Sequence, residues 1–260
     1  MTDARYSFVL ERPWPAPSKS DCHFYHSFDF PDGEGVAGEW DIRGRFDQYI
    51  GGCPLSGKSV LDVGTATGFL SFNAEARGAT VTAMDAHSAS EYSRIPFQST
   101  LFFKDWPSWE VATEASLKRL KNGFWYAWHK FNSKVEVVYT PLASLPHWQR
   151  RFDVVMAGAI LEHLGDPVSG LGSIARLAKE TVVVAFTDIG DTDDLIMRTV
   201  TPWTDPAFDY SFWVLSRGLY RRIFQNLGFE MEIVPVSAIN CHKNPPPLVK
   251  RPTIVARRMR

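Results

Sequence analysis

The spacing of hydrophobic and polar positions predicts a chain in which strands and helices alternate. Apolar runs rich in β-branched residues fall at residues 59–63, 79–85, 135–139, 152–156 and 181–186. Such runs are typical of strands that are buried on both faces of a sheet, and the segments between them are long enough for helices. We therefore expect an α/β fold with a doubly wound, mostly parallel sheet.

The C-terminal part of the chain departs from this alternation. Residues 187–213 are polar and aromatic and are predicted to form a loop beside the substrate. A helix is predicted from Ser216 to Asn226, followed by apolar runs at 229–234 and 253–256. Two late strands joined by a loop predict an antiparallel hairpin at the edge of the sheet.

The N-terminal part is expected to form an arm and a helix that precede the main domain. Residues 1–52 begin with proline-rich and aromatic sequence, and Trp40 and Phe46 then stand at roughly helical spacing. This spacing predicts a helix over 39–50. Residues 53–260 are expected to form the main domain.

An insertion is predicted between the second and third strands. Val135 follows Asp85 only after about 50 residues, whereas a single connecting helix needs about 20. The inserted segment, about 90–130, contains a predicted helix over 111–130. It is either additional core or a lid over the substrate, and the sequence leaves both possibilities open.

Composition narrows the partners and the location. The 260 residues carry 28 Lys and Arg against 29 Asp and Glu, so no overall positive charge favours nucleic acid. Cys22, Cys53 and Cys241 lack the spacing of a disulfide framework or a zinc site, and we expect no metal. Without a signal sequence or an apolar run near 18 residues, a cytoplasmic protein without membrane contact is expected. The oligomeric state stays open.

One segment, residues 59–70, carries the clearest chemical signal. An apolar strand containing Asp62 is interrupted at Gly64 and Gly68, and a helix-compatible sequence follows. Glycines at such a turn bring backbone N–H groups and a helix N-terminus close to a ligand. Asp85 ends the next apolar run about 20 residues further on, where nucleotide-binding folds offer a carboxylate to a ribose. The segment therefore predicts a nucleotide-type cofactor loop.

The arrangement of Asp62, Gly64 and Gly68 resembles motif I of class I S-adenosylmethionine (SAM) methyltransferases, D-x-G-x-G-x-G, with Ala66 in place of the middle glycine. The resemblance implies a Rossmann-like, seven-stranded sheet, SAM as cofactor and S-adenosyl-L-homocysteine (SAH) as product. Pro141 stands where the family often has an acid that contacts the adenine. We therefore expect backbone groups near Leu142 to contact the adenine instead. The expected cofactor-binding residues are Trp40, Arg45, Asp62, Gly64, Thr65, Ala66, Gly68, Asp85, Ala86, Leu142 and Ala157.

From about residue 23 onward, the chain more closely resembles the small-molecule relatives of the tRNA wobble-uridine carboxymethyltransferases. Part of this likeness lies in the run 152–164, which includes Glu162 and His163. In the tRNA enzymes an aromatic residue and a lysine touch the cofactor, and Trp40 and Arg45 occupy those places here. The three residues that hold the carboxylate of carboxy-SAM there have approximate counterparts in His26, Glu162 and Arg251. An acid in place of the family's tyrosine would repel that carboxylate, which predicts plain SAM.

These features predict SAM-dependent methylation of an oxygen, nitrogen or sulfur atom of a small-molecule acceptor. The candidate catalytic residues are Tyr25, His26, Glu162 and His163, and the candidate substrate-binding residues are Trp203, Tyr210 and Arg251. Each also has a purely structural explanation, such as packing, capping or a solvated charge pair. Two alternative hypotheses are tRNA wobble-uridine modification and a catalytically silent SAM-binding protein.

Overall fold

A mostly parallel sheet of eight strands organises the described part of the chain, which is residues 8–92, 106–200 and 212–260 of the computed structural model. The strands are β1 (Phe28–Asp29), β2 (Gly35–Val36), β3 (Trp40–Asp41), β4 (Ser59–Val63), β5 (Thr80–Asp85), β6 (Glu136–Tyr139), β7 (Phe152–Gly158), β8 (Ala178–Ala185), β9 (Ile189–Gly190), β10 (Met197–Thr199), β11 (Trp213–Ser216), β12 (Phe229–Asn240) and β13 (Leu248–Arg258). The α-helices are α1 (Phe46–Tyr49), α2 (Phe69–Ala76), α3 (Trp106–Lys130), α4 (Pro167–Leu177) and α5 (Arg217–Asn226).

The strand order of the large sheet is β3-β12-β13-β8-β7-β4-β5-β6. The five strands from β8 to β6 run parallel, and β13 lies antiparallel between β8 and β12. The predicted α/β fold with a parallel sheet and an antiparallel C-terminal hairpin is confirmed. The two-residue strand β3 adds an eighth strand outside the hairpin, where Trp40 pairs with Asn240 and Asp41 with Ile239.

The predicted helix over 39–50 is wrong in its first half. Trp40 donates its N–H to the carbonyl of Tyr25, and the carbonyl of Trp40 accepts from Ser27, so this segment is extended. Gly44 then turns the chain with a φ of 70°, and the helix is confined to Phe46–Tyr49. Pairing with distant strands therefore overrides the local spacing of apolar residues.

The segment predicted as a loop over 187–213 contains short strands in its described part. The strands β9 and β11 pair in parallel, and β10 pairs antiparallel with β11, which makes a separate three-stranded sheet. Trp203 and Tyr210 lie outside the described residues.

Hydrophobic cores lie on both faces of the large sheet. One contains α2, α3 and the N-terminal arm, and the other contains α4 and α5. Phe124 and Trp125 of α3 are each 1% exposed, and Trp14 of the arm stacks on Trp125 with ring centroids 5.8 Å apart. The C-terminal part of α3, within the predicted insertion, thus packs in the core.

Candidate active site

The loop between β4 and α2 lies at the C-terminal end of the central strand, with three residues in left-handed conformations. Gly64, Ala66 and Gly68 have φ angles of 75°, 50° and 85°. The N–H groups of Gly64 and Thr65 both donate to the carbonyl of Met84 on β5, at 2.9 and 3.0 Å. The loop is therefore anchored to the neighbouring strand while it turns into the helix.

Close packing explains the two glycines of this loop. A Cβ atom at Gly64 would lie 2.6 Å from the Cδ1 of Ile160, and one at Gly68 would lie within 2.8 Å of the rings of Phe72 and Phe124. Both positions also need a positive φ, which costs an L-residue free energy. Ala66 adopts the same conformation at that cost.

Asp62 is fully buried beneath the loop. Its Oδ2 accepts hydrogen bonds from the hydroxyls of Thr65 and Ser71, at 2.9 and 2.7 Å. Its Oδ1 has no hydrogen-bond partner in the described residues. Burial raises the pKa of Asp62 to about 6, because the charged carboxylate loses its hydration.

Asp85 fixes the loop from the end of β5. Its two carboxylate oxygens accept the N–H groups of Ala66 and Ala86, at 2.9 and 2.8 Å. Burial raises the pKa of Asp85, while these two hydrogen bonds and the nearby ammonium of Lys121 act in the opposite direction. The structure thus brings together Asp85, Ala66 and Ala86, three residues of the predicted cofactor site.

A cleft opens beside this loop and contains about 790 Å³ of empty space that is continuous with solvent. The cleft is lined by Tyr25, His26, Trp40, Ile42, Tyr49, Gly64, Thr65, Ala66, Leu70, Gly158, Ala159, Glu162, His163, Phe186, Ala238 and Arg251.

Glu162 and Arg251 form a largely buried ion pair in this cleft. Glu162 is 4% exposed, and its Oε1 accepts a hydrogen bond of 3.2 Å from the Nη1 of Arg251. Its Oε2 accepts from the hydroxyl of Thr187 at 3.3 Å. The carboxylate is therefore compensated by a guanidinium that comes from β13, far along the chain.

An aromatic wall is centred on Phe186, the residue that follows β8. Tyr49 stacks on its ring and Trp40 meets it edge-on, both with centroids 5.6 Å apart. The guanidinium of Arg251 lies 5.6 Å from the same ring centroid. Phe186 therefore contacts three other residues that line the cleft.

Backbone strain is concentrated around the cleft. Among the described non-glycine residues, Ala66, Asn132, Ala159 and Phe186 have positive φ angles, and all but Asn132 line the cleft. Such conformations cost on the order of 1 kcal/mol or more each and persist only where the surroundings enforce them. Their grouping marks this cleft as a functional site.

The imidazole of His26 is uncharged at neutral pH. Burial lowers the pKa of His26 to about 3, and its Nδ1 has no hydrogen-bond partner within the ranges described. Tyr25 is also neutral, as a phenol is at this pH, and burial, followed by the negative charges of Glu39 and Glu162, raises its pKa further to about 12. Both residues are therefore suited to donating or accepting hydrogen bonds in an uncharged form.

Comparison with known proteins identifies the family. A family model described as a methyltransferase domain matches residues 44–234. The chain belongs to this methyltransferase family. The chain is 32% identical over 143 residues to a ubiquinone biosynthesis O-methyltransferase of Nitrosomonas europaea, an alignment that covers 55% of this chain and 48% of that protein.

A relative of the same name from Nitrosospira multiformis is 32% identical over 135 residues, with 52% of this chain and 44% of that protein covered. The chain therefore spans about half the length of these curated relatives. The N-terminal domain of EvdMO1 with SAH bound matches with a TM-score of 0.54 at 16% identity, covering 93% of this chain and 94% of that domain. This likeness confirms the fold.

Several of the residues that the sequence predicted for the site do line the cleft. They are Tyr25, His26, Trp40, Gly64, Thr65, Ala66, Glu162, His163 and Arg251. His163 lies exposed, in a short 3-10 helix (Leu161–His163), and its N–H donates to the carbonyl of Ile160.

Other predicted residues lie around the cleft without lining it. Four of them lie in the loop or next to it: Asp62, Gly68, Asp85 and Ala86. Arg45 precedes α1 and has a buried Nη1 without a partner in the described part of the chain. Leu142 begins a 3-10 helix (Leu142–His147), and Ala157 is buried one residue before the lining begins on β7. Their direct contact with a cofactor stays a prediction.

The sequence analysis missed several lining residues. Three of them, Gly158, Ala159 and Phe186, lie at or just after the C-terminal ends of parallel strands. Ligands bind at these strand ends in such folds, as was predicted for the glycine loop. Tyr49 had been assigned to a helix without a role. The described residues contain no cluster of three or more His, Cys, Asp or Glu that could hold a metal, and none of their helices has the length and hydropathy to span a membrane.

Proposed function

We propose that this chain is a SAM-dependent methyltransferase that acts on a small-molecule acceptor. The observation that carries the proposal is the loop from Gly64 to Gly68, whose strained backbone opens onto the cleft and is fixed by Asp85. SAM would supply an activated methyl group, so the protein mainly needs to position the acceptor and exclude water. The family membership supports the same conclusion.

The residues present fit the proposed cofactor. Gly64, Thr65 and Ala66 of the loop line the cleft, and Asp85 ends β5 at the place typical of ribose binding. The Nδ1 of His26, which lines the cleft and has no partner among the described residues, and the open volume beside the loop are consistent with a polar ligand there. These residues would bind and orient the cofactor.

The ion pair between Glu162 and Arg251 supports plain SAM rather than carboxy-SAM. A carboxylate on the cofactor would need an unpaired cation, and Arg251 is already compensated by Glu162. We expect SAM to displace carboxy-SAM readily in a competition binding assay. A clear preference for carboxy-SAM would overturn this part of the proposal.

The sequence leaves oxygen, nitrogen and sulfur open as the acceptor atom. Of these three, we propose oxygen. The curated relatives carry names of O-methyltransferases, which favours a hydroxyl. The alternative hypothesis of tRNA wobble-uridine modification predicts instead a salt-dependent retention of tRNA, which filter binding across a salt titration would measure. A silent SAM-binding protein would bind the cofactor without turnover across a panel of hydroxylated small molecules.

Calorimetric titration with SAM and SAH tests the central proposal. We expect both to bind in the micromolar range, and a chain that binds neither would refute it. Ala66→Leu should abolish binding, because a larger side chain at this strained position would enter the cleft, whereas Ala66→Gly should retain it. Asn132→Gly is the matched control, since it relieves a similar φ of 49° outside the cleft and should leave binding unchanged.

A further inference from the structure

The interior of the cleft holds no uncompensated charge. Of the described residues that line it, Glu162 and Arg251 neutralise one another, and His163 lies exposed at the mouth. Burial keeps His26 uncharged at neutral pH, and the Tyr25 phenol is neutral there as well. A charged acceptor would lose hydration on entry and would find no free counter-charge, which disfavours it.

Aromatic and aliphatic side chains also line the same interior. Trp40, Tyr49 and Phe186 contribute aromatic rings, and Ile42 and Leu70 contribute aliphatic side chains. Aromatic surfaces bind planar or cyclic ligands with a favourable contribution beyond the buried area. The cleft is thus suited to a ring that carries neutral polar groups.

Phe186 is held in place from both sides. Its N–H donates to the hydroxyl of Thr253 at 3.0 Å, and that hydroxyl donates to the carbonyl of Tyr49 at 2.9 Å. The N–H of Thr187 donates to the carbonyl of Pro252 at 3.0 Å. Thr253 is fully buried, so these contacts fix the φ of 53° at Phe186 and the position of its ring.

We propose that the acceptor is an uncharged ring compound and that Phe186, itself only 3% exposed, positions Trp40 in the wall against which the acceptor's ring packs. This inference rests on the proposed function and adds to it the class of the acceptor and a specificity-determining residue. The strained backbone explains how the ring is presented, because the fixed turn after β8 directs this residue to contact Trp40, Tyr49 and Arg251 together.

Three single-ring probes of matched size separate the contribution of charge: benzyl alcohol, benzoate and benzylammonium. Their binding to the full chain saturated with SAH is measured by NMR titration. Benzyl alcohol should bind at least about tenfold more tightly than either charged probe, as expected when a buried charge lacks a partner. Benzoate or benzylammonium binding as tightly as benzyl alcohol would overturn the proposal, as would undetectable binding of benzyl alcohol.

Variants at Phe186 separate the contribution of the ring. Phe186→Leu should weaken benzyl alcohol binding about 3- to 10-fold, the range expected for losing one aromatic contact, and change SAH affinity less than about twofold. Phe186→Tyr keeps the ring and should restore probe binding. The control Phe131→Leu removes a ring that packs on Phe28 and Phe72 away from the cleft, and should change neither affinity.

Two outcomes distinguish this inference from the proposed function. If SAH binds but Phe186→Leu lowers SAH affinity as much as probe affinity, Phe186 serves the cofactor and the inference fails alone. If SAH does not bind the unmodified chain, the proposed function fails and the inference with it.

Discussion

Asp62 is predicted to destabilise the folded protein at neutral pH. The carboxyl group is completely buried, and its pKa rises from the ordinary 3.8 to about 6. A shift of about two pH units corresponds to roughly 3 kcal/mol at a pH above both values. Thr65 and Ser71 donate to one oxygen only, so their hydrogen bonds do not offset the whole cost of burial.

The direction of the pH dependence follows from proton binding. The folded state holds the proton of Asp62 more tightly than the unfolded state does, so the contribution of this group to stability is fully present below about pH 4 and falls as the pH rises to about 6. Asp62→Asn keeps the shape and removes the ionisation. The asparagine carbonyl still accepts from Thr65 and Ser71.

Urea denaturation of the unmodified chain and of Asp62→Asn across this pH range measures the effect. The free energy of unfolding of the variant, minus that of the unmodified chain, should increase by up to about 3 kcal/mol between roughly pH 4 and pH 7. Taking this difference cancels the contributions of acids that do not interact with Asp62, whereas the neighbouring charge of Asp85 is part of the measured effect. A difference that is flat with pH, or that decreases as the pH rises, would refute the reasoning.

Other substitutions test the packing of the site and of the helices. Arg251→Met should lower the free energy of unfolding by about 2–4 kcal/mol, because Glu162 stays buried without its cation, and adding Glu162→Gln should restore most of the loss in urea denaturation. Equal losses in the single and double variants would contradict this. Gly172→Ala in α4 should raise stability by about 0.5–1 kcal/mol, since no atom lies within 4 Å of the new Cβ. Gly123→Ala in α3 should lower the melting temperature instead, because its Cβ would lie 2.4 Å from the carbonyl oxygen of His23; an increase would show that the helix shifts freely.

The local order of residues was enough to predict the cofactor loop and the parallel strands. An apolar run, a glycine turn and a helix start are encoded within residues 59–70, and each depends on neighbours only a few positions away. Burial on both faces also leaves a clear sign in sequence, because such strands are apolar throughout. The C-terminal hairpin was predicted with the correct direction because two late apolar runs are joined by a loop.

The segment around Trp40 shows where this approach fails. Apolar residues at roughly helical spacing predicted a helix over 39–50, yet Trp40 pairs with Asn240, 200 positions away. Strand pairing depends on partners that a local pattern does not contain. The extended backbone of β3 therefore became visible only in the tertiary structure.

The sequence by itself determined the fold class, the glycine loop and the identity of most polar residues near the cleft. Only the tertiary structure decided that Glu162 neutralises Arg251, that His26 is buried without charge, and that Phe186 forms a wall with Tyr49. Charge compensation, burial and stacking depend on distances between residues far apart in the chain. Local sequence fixes the backbone pattern, whereas the chemistry of the cleft depends on which distant side chains the fold brings together.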